Sequence, residues 1–213
     1  MKRFIDKVVI VTGAASGLGE ATAFEFAKEG AKVVLADISD KGRGLSEHLN
    51  QQGYKTCFFQ ADVSKEDQVI QLIENTKNIF GHLDIMFANA GINIEADIDE
   101  LEFNDWQKVI DVNLTSIYLC NKYAVKQFRS QDGKGVIINT GSIHSLVARE
   151  GLAAYAAAKG GVKLLTQQMA VKYSKEGIRT NAIAPAYKYT TDKNALSKCD
   201  RTISEFASDR SIR

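Results

Sequence analysis

The sequence predicts an α/β protein, a single-domain doubly wound parallel sheet with helices on both faces. Two observations predict it. The first is an unbroken β-branched run, Val8 to Val11, that stops at Thr12-Gly13 and passes through a glycine turn into an amphipathic helix. A strand apolar on both sides belongs inside a parallel sheet, with helices covering each face. The second is alternation: apolar strands and amphipathic helices follow one another in a βαβαβαβ pattern, and the right-handed crossover rule leaves few other topologies. A chain of 213 residues with 45% apolar content is long enough for one domain with a substantial core.

The first turn carries glycines at 13, 17 and 19. This is not the G-x-G-x-x-G spacing. The jobs are still assignable: Gly13 turns the chain off the strand, Gly17 leaves room for a pyrophosphate, and Gly19 lets the helix pack close to the sheet. Backbone N–H groups and the positive end of a helix dipole then converge on one point, which suits a phosphate. An ordinary glycine-rich βα turn would read the same way. The helix has Ala21, Phe24, Phe26 and Ala27 as apolar positions and ends at Glu29-Gly30, with Gly30 past its C-cap.

Lys32 to Asp37 forms the second strand and ends in an acid eighteen residues after Gly19. In a βαβ unit that carboxylate accepts hydrogen bonds from an adenosine ribose and repels a 2′-phosphate. Ser16 is uncharged, and neither Ile38 nor Ser39 supplies a cation, so NAD(H) is expected over NADP(H). The plainer role for Asp37 is a turn or helix-capping acid. Thr56 to Gln60 is the third strand. Asp62-Val63 follows as a turn, and Ser64-x-x-Asp67 marks the start of a helix. The fourth strand, Leu83 to Ala88, ends in Asn89-Ala90-Gly91, a small-residue turn at the carboxyl edge where ligands approach such sheets.

A long helix is predicted over Asn104 to Gln131, broad enough in its apolar face to be buried or at an interface. Asn113 lies inside that face, where a buried amide bonded to backbone is the general expectation. Val136 to Thr140 is the fifth strand and leads into Gly141-Ser142. Then comes Tyr155-Ala-Ala-Ala-Lys159. Residues four apart share a helix face. A phenol titrates near 10, and a nearby ammonium favours phenolate, so the pair suits general acid/base work. The spacing alone is weak: three of seven tyrosines have Lys four residues on, at Tyr118, Tyr155 and Tyr189. Only the middle pair follows a strand ending in serine. Tyr118 reads instead as a core tyrosine beside a solvated Lys122. The sixth strand, Arg179 to Ala184, leads to Pro185-Ala186.

The T-G-x-x-x-G-x-G pattern at Thr12–Gly19, the Asn89-Ala90-Gly91 turn, and Asn113, Ser142, Tyr155 and Lys159 in this order resemble the short-chain dehydrogenases/reductases. The resemblance covers Lys7 to Pro185. It implies a Rossmann-type sheet and an oxidoreductase interconverting a secondary alcohol and a ketone. It implies Tyr155 as proton donor or acceptor, Ser142 on the substrate oxygen, Lys159 on the nicotinamide ribose, and Asn113 holding a relay water. It also implies cofactor contacts at Gly13, Ser16, Gly17, Leu18, Gly19, Asp37, Ile38, Asp62, Val63, Asn89, Ala90, Gly91, Tyr155, Lys159 and Pro185. Asp62-Val63 would flank the adenine. A homo-oligomer, dimer or tetramer, through the Asn104–Gln131 and Tyr155 helices is a further implication. His144 is placed either in the substrate pocket or on a solvent-exposed loop.

The sequence also departs from the family. Ala88 stands for the first Asn of N-N-A-G, and Ala186 for the usual Gly. Residues 186–205 read as a shortened substrate lid, Glu205 to Ser211 as the end of the last helix, and the usual seventh strand is not found. A non-catalytic NAD-binding protein is therefore the alternative. The net charge of +1, with both signs interspersed, gives no nucleic-acid footprint. Cys57, Cys120 and Cys199 offer neither a disulfide framework nor metal-ligand spacing, which suits a reducing cytoplasm. Asp6 and Lys7 interrupt the first apolar run against a signal peptide, no segment reaches membrane length, and no metal is expected.

Overall fold

All five residues of β1 (Val8–Thr12) are buried, and the strand lies in the middle of the sheet. The computed structural model describes residues 2–131 and 133–186. Its strands are β1, β2 (Lys32–Asp37), β3 (Lys55–Gln60), β4 (Ile85–Ala88), β5 (Gly135–Thr140) and β6 (Ile178–Ile183). They pair in the order β3-β2-β1-β4-β5-β6, every pairing parallel. The order reverses between β1 and β4, which opens a crevice at the carboxyl ends of those strands.

Helices cover both faces. Successive side chains of a strand point to opposite sides, and β1 shows the consequence. Val8 and Ile10 join one cluster with Leu72 of α3 (Glu66–Phe80), Ile117 and Phe128 of α5 (Ser116–Ser130), and Val162 of α6 (Ala153–Tyr173). Val9 and Val11 join the other, with Ala23 and Ala27 of α1 (Gly17–Lys28). Leu45 of α2 (Lys41–Gln51) packs on that second cluster. The β-branched run is thus one strand feeding two cores.

Four expectations need correction. The buried stripe of α1 is Gly19, Ala23 and Ala27, while Ala21 is exposed and the two phenylalanines are half-buried. The i, i+4 row of small residues faces the sheet because the helix lies close to it. Ser64 does not cap α3: Lys65 is the N-cap residue, and the Ser64 hydroxyl donates to Asp62 Oδ1 at 2.7 Å. The helix over Asn104–Gln131 is three segments, α4 (Phe103–Ile110), a π turn (Asp111–Thr115) and α5. Tyr118 is 47% exposed rather than core, while Lys122 stays at the surface, where it pairs with Glu66 at 2.6 Å.

The expectations on the lid, Tyr189, Cys199, Glu205–Ser211 and a seventh strand lie outside the described residues. Among the described residues, no helix is long and apolar enough to cross a membrane, and no group of three His, Cys, Asp or Glu could hold a metal.

Candidate active site

The glycine turn leaves the β-ladder at Thr12. Gly13 and Gly17 adopt positive φ, +64° and +59°, a region open mainly to glycine. A Cβ on Gly19 would collide with the Gly13 carbonyl oxygen, so this position tolerates only hydrogen. Ser16 is the N-cap residue of α1, and its side chain makes no capping bond. The first-turn N–H groups therefore receive nothing from it, and such groups form a ready anion site.

Side chains lace the carboxyl ends of three strands together above this turn. Thr12 Oγ1 accepts the N–H groups of Asn89 and Ala90 at 2.8 and 3.1 Å. Asn89 Nδ2 donates to the Thr12 carbonyl at 3.1 Å, and Asn89 Oδ1 accepts from the Thr140 hydroxyl at 3.1 Å. Lys159 Nζ then donates to the Thr140 carbonyl at 2.7 Å. A hydrogen-bonded chain runs from the glycine turn to the lysine of α6.

A cleft of about 680 Å³ lies along this edge. The turn contributes Gly13, Ser16, Gly17 and Leu18 to its wall, and the ends of β2 and β3 contribute Asp37, Ile38, Asp62 and Val63. The β4 end contributes Asn89, Ala90 and Gly91, and the helices contribute Asn113, Tyr155 and Lys159. Gly19, Ser142 and Pro185 do not border it. Gly19 is buried behind the turn. Pro185 offers its carbonyl to the Ile143 amide at 3.2 Å. Ser142 is 5% exposed, and its Oγ accepts the His144 amide at 3.1 Å.

Tyr155 and Lys159 share the cleft, with the ammonium 5.6 Å from the centre of the phenol ring. Lys159 is 2% exposed, and burial pushes its pKa down to about 8. The His144 ring meets Tyr155 edge to face, centroids 6.2 Å apart, and Nδ1 lies 3.2 Å from the Val147 carbonyl. His144 is half-buried. Asn113 is fully buried in the π turn; Nδ2 donates to the carbonyls of Ile92 and Val109, and Oδ1 accepts the Ile92 amide. Its amide thereby clamps the segment after Gly91, and π turns recur at functional sites.

Sequence reasoning missed Ala36, Ala61, Ile92, Asn93, Lys108, Val112 and Thr140 in the wall. Thr140 carried a legible signal, being the last residue of β5 before Gly141. Lys108 and Val112 sit four apart on the face next to Asn113, which helix periodicity could have found.

The family model described as short chain dehydrogenase matches residues 7–200. The chain belongs to the short-chain dehydrogenase family. It is 40% identical over 188 residues to cis-4-hydroxycyclohexanecarboxylate dehydrogenase of Sinomonas cyclohexanicum, covering 88% of this chain and 75% of that one. It is 39% identical over 201 residues to glucose 1-dehydrogenase 2 of Bacillus subtilis (strain 168), covering 92% and 77%. Tropinone reductase-like 1 of Erythroxylum coca is 41% identical over 209 residues, covering 96% and 75%. Among solved structures, levodione reductase superposes with a TM-score of 0.84 at 37% identity, covering 93% of this chain and 79% of that one. A short chain dehydrogenase from Mycobacterium smegmatis gives 0.85 at 33% identity, covering 88% and 80%. This short-chain dehydrogenase is thus an oxidoreductase of a family that uses nicotinamide cofactors on small alcohols and ketones. The cleft fits such a cofactor: bare glycine backbone and open helix-end amides lie at its middle, a carboxylate on one side and a buried ammonium on the other.

Proposed function

We propose that the protein is an NAD(H)-dependent oxidoreductase that interconverts a secondary alcohol and a ketone, or a 3-oxo group, with Tyr155 as general acid/base. The observation that carries this reading is that Tyr155 and Lys159 stand together in the same cleft as the glycine turn and Asp37. Gly13, Ser16, Gly17 and Leu18 would hold the pyrophosphate, and Asp37 the adenosine ribose. Asp62 and Val63 would flank the adenine, and Asn89, Ala90 and Gly91 would run along the dinucleotide. Bound there, NAD(H) supplies the hydride chemistry.

The chain's own part is to orient and to move a proton. The Tyr155 hydroxyl gives a proton to the substrate oxygen in reduction and takes one in oxidation. Lys159 holds the nicotinamide ribose, itself fixed by the Thr140 carbonyl. Ser142 accepts the His144 amide and keeps its own hydroxyl proton to donate to the substrate oxygen. Asn113 would hold the relay water toward Lys159, while its side-chain amide clamps the backbone after Gly91. Asp37 favours NAD(H), since neither Ile38 nor Ser39 offers a cation to a 2′-phosphate. The free Cys57 and Cys120 suit a reducing cytoplasm. Exposed Phe103, Tyr118, Leu164 and Val171 on α4, α5 and α6 suit a homo-oligomer through those helices.

One observation favours a second reading, a non-catalytic NAD-binding protein: Ser142 does not border the cleft. The test is a panel of secondary alcohols with NAD⁺ and of ketones with NADH, including 4-hydroxycyclohexanecarboxylate and glucose. Turnover by the wild type that Tyr155→Phe abolishes supports the enzyme. Cofactor binding with no turnover anywhere on the panel supports the binder.

A further inference from the structure

Asp37 already has work before any ribose arrives. Its Oδ2 accepts the Ala15 amide at 2.9 Å, and its Oδ1 accepts the Ser39 amide at 2.8 Å. Ala15 lies midway between Gly13 and Gly17, the two turn residues at positive φ. The Ala14 amide, next to it, reaches the Ala36 carbonyl at 3.2 Å. The turn is therefore tied sideways to the end of β2, and the strongest acceptor in that tie is a carboxylate.

The post is itself rigid. Asp37 pairs in register with Gln60, its carbonyl accepts the Ala61 amide at 2.9 Å, and Gln60 Nε2 donates to the Ile38 carbonyl at 3.0 Å. Backbone and side chain of Asp37 are thus held by β3 on one side and by the glycine turn on the other.

We propose that Asp37 is a positioning residue of the glycine turn as well as the reader of the adenosine ribose, and that the two jobs together lock this chain to NAD(H). The proposal rests on the cofactor reading above and goes beyond it. Each carboxylate oxygen has two lone pairs, so one on Oδ2 holds the turn through Ala15, one on Oδ1 holds Ser39, and the others remain for ribose hydroxyls. Asn cannot do this, because one of its two atoms is a donor and would face an N–H group. Ser has one oxygen for two amides. A serine, one bond too short to reach the Ala15 amide, or an arginine, with no acceptor to offer it, therefore releases the turn that holds the pyrophosphate. Asp37→Ser combined with Ile38→Arg, the obvious route to NADPH, loses NADH without gaining NADPH.

The test uses the full chain and a reduced cofactor analogue whose adenosine ribose lacks both the 2′ and 3′ hydroxyls. If Asp37 only reads the ribose, wild type and Asp37→Asn bind the analogue equally. If Asp37 also holds the turn, Asp37→Asn binds it at least tenfold more weakly. Hydrogen exchange at the Ala15 amide of the ligand-free protein also speeds at least tenfold. At saturating cofactor kcat stays near wild type while KM for the cofactor rises, which a loss of stability alone would not produce. Asp37→Glu keeps the charge but moves the oxygens by a methylene, and gives the same pattern should Asn impair folding. Equal analogue affinity within twofold, or unchanged Ala15 exchange, overturns the proposal. Wild type that binds neither NADH nor the analogue overturns the cofactor reading, while the exchange measurement still decides the turn contact.

Discussion

The sheet has a hollow at each end, and the larger one is not the candidate site. At the amino ends of the strands lies a basin of about 830 Å³ bordered by Arg3, Lys7, Asp84 and Arg179. Its one carboxylate among the described residues, Asp84, accepts Lys7 Nζ and the Val8 amide, both at 2.8 Å, and lies 2.9 Å from His82 Nε2. Arg3 pairs with Glu29 at 3.2 Å. Helices of a βα unit end at this edge, so cations there answer the negative ends of helix dipoles. At the carboxyl edge the smaller cleft presents helix-end amides with no side-chain cap, and a buried ammonium whose hydrogen bond among the described residues goes to one carbonyl. Volume does not separate the two hollows. The uncapped helix-end amides and the buried ammonium of the carboxyl edge do.

The largest expected effect at the carboxyl edge is Tyr155→Phe. Turnover should fall about a thousandfold, within the range for losing a general acid/base, with the melting temperature unchanged. Retained turnover in an otherwise active preparation would erase the distinction between the hollows.

Lys159→Met should lower turnover by about a hundredfold and yet stabilise the ligand-free fold. Burial lowers the Lys159 pKa from 10.5 to about 8, worth about 3 kcal/mol against the charged form. Losing the bond to Thr140 returns about 1 kcal/mol, so the net gain near pH 7 is about 2 kcal/mol. The sign follows from proton binding. Between the folded pKa near 8 and an unfolded value of about 10.4, the unfolded chain holds more protons, so wild-type stability rises with pH there. The gap between variant and wild type should therefore be full below pH 8 and shrink above it. Denaturant melts across that range check it.

Gly19→Ala should weaken cofactor binding about tenfold, roughly 1.4 kcal/mol, because the new methyl collides with the Gly13 carbonyl and displaces the turn. Isothermal titration with NADH reads this directly.

The smallest effect belongs to the amino edge. Asp84→Asn should leave kcat/KM within twofold and cost about 1 kcal/mol of stability. Burial acts to raise the Asp84 pKa, but the hydrogen bonds from Lys7 and the Val8 amide and the charges of Lys7 and His82 outweigh it, and the net shift is downward. Its contribution is present above the ordinary carboxylate range and is lost as pH falls through the folded value. The variant should lack that acid-sensitive share. A large loss of turnover would make the amino hollow functional after all.

Local sequence was a good guide wherever local physics decided the outcome. Val8–Val11 and Lys32–Asp37 are strands because β-branched and apolar runs of that length have no better home in a parallel sheet, and Gly30 ends α1 as a positive-φ residue should. Most cleft positions followed, because they sit at strand ends and turns. Ser64 was misread because Asp62, two residues back, captures its hydroxyl. The π turn at Asp111–Thr115 leaves no period in the sequence; it is fixed by the bonds of Asn113 to Ile92, across the fold. The Thr12–Asn89–Thr140 lacing was hidden for the same reason, its members being 77 and 51 residues apart. Asp37 was visible as an acid at the right spacing, but its hold on Ala15 appears only when β1 and β2 lie side by side.

The most direct measurement is a titration of the full chain with NADH and separately with NADPH, followed by Trp106 emission and thermal unfolding. An NAD(H)-dependent enzyme predicts a rise with NADH of about 2.7 kcal/mol at a hundredfold excess over the dissociation constant, and little with NADPH. A shift with neither cofactor, or a larger one with NADPH, would contradict it.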